Sequence, residues 1–139
     1  MVGLGLAGLL PQALCLGLAL MSGPYHWAGV AAGCFYAAVI LSFLGGMWWM
    51  TGGLAGKQHW GIYGLAVVPS LAAWLALLPW VLGWAWPRPS LVFLGMLLLT
   101  SPLADIAIAR RFAPPPGWLR LRITMGGGLG LLTLALAAL

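Results

Sequence analysis

Five stretches of about twenty apolar residues, the first four closed by glycine, proline or a charge, dominate this chain. A membrane-crossing helix needs ~20 such residues at ~1.5 Å rise each. The expected spans are 2–21, 27–50, 61–84, 90–109 and 119–139. Ser22-Gly23-Pro24 ends the first, and Thr51 through His59 forms the loop after the second. Pro87-Arg88-Pro89 closes the third, and Arg110-Arg111 with Pro114-Pro115-Pro116 closes the fourth. The runs are continuous and twice the length of a barrel strand, which predicts an all-α, polytopic helix bundle over the whole of 1–139.

Composition leaves little room for another class. The chain is 63% hydrophobic and 5% charged, where a soluble domain carries about 25% charged residues. The first apolar run has no cation ahead of it and no Ala-x-Ala cleavage pattern after it, so it reads as a retained helix. The net charge of +5 is not a nucleic-acid footprint, because the cations sit at helix ends rather than along one face. With five spans, Lys57, Arg110, Arg111, Arg120 and Arg122 share one side and Arg88 alone marks the other. That asymmetry predicts an inside N-terminus and an outside C-terminus. Tryptophans agree as interfacial anchors: Trp27 and Trp84 on the outer side, Trp48, Trp49, Trp60 and Trp118 on the inner side. Trp74, near mid-depth, reads as a packing residue.

Lipid tails remove the hydrophobic drive between helices, so close approach at small residues must replace it. The second span offers two ridges at intervals of four, Gly29-Gly33-Ala37 and Ala38-Ser42-Gly46. It should therefore be a central helix with neighbours on both sides. Gly126 and Gly130 offer the same on the fifth span. Pro69-Ser70 and Thr100-Ser101-Pro102 fall inside spans. Each proline frees a carbonyl one turn earlier, which a hydroxyl or a neighbouring helix can re-satisfy, with a bend as the consequence.

Asp105 is the only acidic residue. An intramembrane carboxylate asks for a reason. It lies about 7 Å along the axis from Arg110, close to Arg120 and Arg122 at the start of the fifth span. Two readings follow: an interhelical ion pair clamping the fourth and fifth spans, or a proton- or cation-binding group with His59 nearby. His26 and His59, the only two histidines, start from opposite faces and cannot share a metal or haem, so no metal site and no cofactor are expected. Cys15 and Cys34 read as small apolar residues. One carboxylate cannot run paired-carboxylate chemistry, no nucleophile motif surrounds the serines, and Gly126-Gly127-Gly128 lacks the Lys-Ser/Thr ending of a phosphate loop. Enzymatic activity is therefore not expected.

Tyr36-Ala-Ala-Val-Ile-Leu-Ser-Phe-Leu-Gly-Gly-Met-Trp-Trp49 resembles the central signature of the domain of unknown function 3429 family, which includes transmembrane protein 69-like proteins. Asp105 through Arg122, ending in Trp118-Leu-Arg-Leu-Arg122, resembles its second signature. The resemblance covers nearly the whole chain and implies a bacterial inner-membrane or mitochondrial-type protein of about five helices, with no known activity attached. It draws attention to Ser42, Gly45, Gly46, Trp48, Asp105, Arg120 and Arg122. The expected role is a non-enzymatic accessory, assembly or structural subunit packing against lipids, other membrane proteins or itself. The rivals are a small carrier or channel for a proton, cation or lipophilic solute using Asp105, and a bundle binding a pigment or quinone.

Overall fold

The computed structural model describes residues 2–56 and 60–139. Among these the regular structure is entirely helical: α1 Val2–Ala7, α2 Leu10–Ala19, α3 Pro24–Leu54, α4 Trp60–Val81, α5 Arg88–Phe112 and α6 Trp118–Ala137. Four of these, α3 to α6, are long and apolar enough to cross a membrane.

The expected first span is not one continuous rod. It breaks at Gly8 and Leu9 into two short helices. Pro11, at the start of α2, has no N–H to offer the Ala7 carbonyl, and its ring crowds that carbonyl. The chain tightens instead, with Gly8 N–H donating to Gly5 O and Leu9 N–H to Leu6 O, both at 3.0 Å. The Tyr36 hydroxyl of α3 then donates to Gly8 O at 2.6 Å. A carbonyl exposed by the break thus gains a partner that lipid could not supply. On the other side α1 rests on α6, where Gly5 meets Leu121 and Gly8 meets Met125.

The second span is longer than its sequence suggests. Gly52 and Gly53 do not stop α3, which runs for 31 residues from Pro24 at its first turn. A Cβ at Gly52 would stand 2.6 Å from Ile62 of α4, so this glycine serves a helix contact rather than a turn. At ~1.5 Å per residue α3 is about 46 Å long, more than the ~30 Å hydrocarbon core, and must tilt or project from it.

α3 lies at the centre and touches α2, α4, α5 and α6. Gly29 sits against the Cys15 carbonyl and Ala19 of α2, and Gly33 against Leu136 of α6 and Cys15. Ala37 is fully buried. On its other side the close approach is made by Gly45, against the Ala66 carbonyl of α4, while Gly46 faces open space. The expected ridge Ala38-Ser42-Gly46 is thus corrected by one position at its end. Ser42 is half-buried and shares a hydrogen bond with Ser70 of α4, 2.9 Å apart.

α5 and α6 pair antiparallel and intimately. Gly126 presses on the Leu98 carbonyl, Ser101 and Pro102, and Gly130 on Leu99. Pro102 leaves Leu98 O without its helical donor; the Ser101 hydroxyl donates to that oxygen at 2.8 Å. The helix therefore continues through the proline. The main core gathers Cys34, Ala37, Leu41, Leu91, Leu94, Leu98, Leu129 and Leu136. A smaller cluster of Trp48, Ile62, Ala66 and Ile108 lies toward the end that carries Arg110 and Arg111, called the basic end below.

Candidate functional site

The α5–α6 register creates the one charged interior site among the described residues. Asp105 lies one turn beyond Ser101 on α5, and Arg122 one turn before Gly126 on α6. Because the helices run antiparallel with Gly126 seated against Ser101, these two turns meet. Arg122 Nη2 donates to Asp105 Oδ1 at 2.9 Å and Nε to the same oxygen at 3.1 Å. The Trp48 indole N–H, from α3, donates to Oδ1 at 2.8 Å. Trp118, four residues before Arg122 and so on the same helix face, lies under the guanidinium at 5.5 Å from its ring centroid. Asp105 is 1% exposed and Arg122 8%.

This arrangement ties three helices at one level: α3 through Trp48, α5 through Asp105, α6 through Arg122. Guanidinium and indole both donate to one carboxylate oxygen, and the guanidinium is stacked as well as paired. Two charges that would each be costly alone in a low-dielectric interior are jointly tolerable in this geometry.

Several expected residues fall elsewhere. Arg120 does not reach Asp105. It stands about 200° around the helix from Arg122, is exposed, and lines a separate cleft with Leu6, Gly117, Leu121 and Thr124. Trp48 is buried and donates to the carboxylate, so it is not an interfacial anchor. Trp27, Trp49, Trp60 and Trp84 are exposed, and Trp118 is half-buried beneath Arg122. His59 and Lys57 lie outside the described residues. His26 Nδ1 is 2.7 Å from the Ala19 carbonyl and meets Trp27 edge-on. Cys15 and Cys34 are free, buried thiols. No group of His, Cys, Asp and Glu able to hold a metal occurs among the described residues.

A buried polar pair with no motif around it joins α2 to α6. Gln12 of α2 and Thr133 of α6 are completely buried, with Gln12 Nε2 donating to Thr133 Oγ1 at 3.0 Å. The threonine hydroxyl in turn donates to Leu129 O at 2.7 Å. The signal was a lone glutamine inside an otherwise apolar run, directly after Pro11.

The sequence model of a family described as Protein of unknown function (DUF3429) matches residues 1–138 of this chain. No curated protein and no solved structure matches it.

Proposed function

We propose a non-enzymatic role for this chain, which belongs to the DUF3429 family of proteins of unknown function: an accessory, assembly or structural subunit of the bacterial inner membrane. The observation that carries this reading is the state of Asp105. The only carboxylate side chain able to ferry a proton or cation is 1% exposed and held by Arg122 and Trp48. A carrier needs its charged group to alternate between wet and closed surroundings, whereas this one serves as an interhelical tie. The uneven cover of the bundle supports the partner half of the proposal. α4 leaves Val68, Leu71, Trp74 and Leu75 more than half exposed, and the indole of a mid-span tryptophan offers a large rigid packing surface.

The test is native mass spectrometry of the tagged chain, gently released from its own membrane. A reproducible heavier species containing a second membrane protein is expected. A chain that travels alone under mild conditions counts heavily against the role. Flux into proteoliposomes separates the carrier reading: proton or cation flux abolished by Asp105→Asn would replace the accessory role with transport. In the proposed topology the N-terminus and the basic end face the cytoplasm, following the cation asymmetry. Reporter fusions at either terminus check that polarity.

A further inference from the structure

At the basic end, α4 and α5 diverge and leave a cleft of about 450 Å³. Its lining is graded along the helices. Trp60 and Arg111 stand at the mouth; Ile62, Leu65, Ala107 and Ile108 lie further along the walls. Trp60 is 84% exposed, and indoles with this placement lie at headgroup level. Arg111 is exposed and has no carboxylate side chain to pair with, since the chain's single acid is taken by Arg122. The neighbouring Arg110 is exposed as well.

We propose that this cleft binds an anionic phospholipid, its phosphate on the Arg111 guanidinium and one acyl chain along Ile62, Leu65 and Ile108. Charge complementarity selects the headgroup. A guanidinium presents paired donors that match phosphate oxygens, and a cation near a membrane surface gains most from a lipid bearing net negative charge. The volume selects the shape. It lies toward the lower end of the 300–1,000 Å³ typical of small-ligand sites, and the Ile62, Leu65 and Ile108 walls suit a flexible hydrocarbon chain. The site does not depend on the accessory role proposed above, because a transporter would retain the same cleft and the same arginine.

The experiment uses the full-length chain, delipidated in mild detergent and mixed with phosphatidylglycerol or phosphatidylcholine of identical acyl chains. Native mass spectrometry reads the bound lipid. Phosphatidylglycerol should be retained preferentially. Arg111→Gln should cut that preference about fivefold, the worth of one basic residue at an anionic surface, while Arg111→Lys keeps most of it. Ala107→Phe, which fills the cleft from an exposed position, should lower retention of both lipids. Should Arg111→Gln fail to fold, the Arg111→Lys and Ala107→Phe results decide between the outcomes. Equal retention of the two lipids by the unaltered chain overturns the proposal. So does a preference untouched by Arg111→Gln, or undiminished binding to Ala107→Phe. A dimer that forms through this face and expels lipid also overturns it, assigning the cleft to a second copy.

Discussion

Asp105 shows how a charge is tolerated in a bundle with almost no other polarity. Removing one partner of a buried ion pair leaves the other unmatched and costs about 3 kcal/mol or more. Asp105→Asn should therefore lower the stability of the detergent-solubilised protein by about that amount, read from denaturant unfolding. Adding Arg122→Gln should recover part of the loss, because the stranded guanidinium disappears. Trp48→Phe, which deletes the indole donor and keeps most of the ring bulk, should cost about 2 kcal/mol. Arg120→Gln should change stability by no more than about 0.5 kcal/mol, its side chain being exposed. An acid facing two nearby arginines made the clamp legible from sequence. Which arginine closes it was not, because the choice depends on the α5–α6 register, and that register is set by Gly126 meeting Ser101. Trp48 was hidden for a different reason. A tryptophan near a helix end reads as an interfacial anchor until a neighbouring helix places a carboxylate beside its N–H.

The helices themselves were legible where a long apolar run met a firm stop, and misread where a breaker had a second use. Gly45 and Gly46 are adjacent and equivalent by composition. The structure separates them: a Cβ at Gly45 would collide with the Ala66 carbonyl of α4, and one at Gly46 would meet nothing. Gly45→Ala should therefore destabilise the α3–α4 pair by about 1–3 kcal/mol, an overpacking cost. Gly46→Ala should leave thermal stability unchanged or slightly raised, since alanine favours the helix. A detergent melting curve for each variant checks both. Pro11 carried the information that the first span breaks, but its position near the middle of a run gave no visible boundary. Tyr36→Phe should cost about 1 kcal/mol and speed amide exchange in α1, which ends beside the Gly8 carbonyl that the hydroxyl now meets.

At the scale of the molecule, apolarity along the sequence indicated a helical bundle, and the small-residue ridges of the second span indicated that α3 lies inside it. What covers α4 was not legible, because a lipid-facing helix and a helix awaiting a neighbour are built from the same residues. A photo-crosslinking amino acid at Trp74, expressed in the native membrane, should yield a heavier adduct; the same probe at the buried Leu129 should yield none. An absence of adducts at Trp74 would argue that α4 meets only lipid. The clamp between α5 and α6 also has a consequence for how the chain is made. A ribosome delivers Asp105 before Arg122, with the polyproline turn and the start of α6 still to come. Through that interval α5 holds a carboxylate whose guanidinium does not yet exist, so its insertion is provisional until α6 arrives. Released chains truncated after Phe112 should accordingly be extracted from the bilayer more readily than chains that carry α6 through Ala137, which would make the order of two residues a checkpoint in biogenesis.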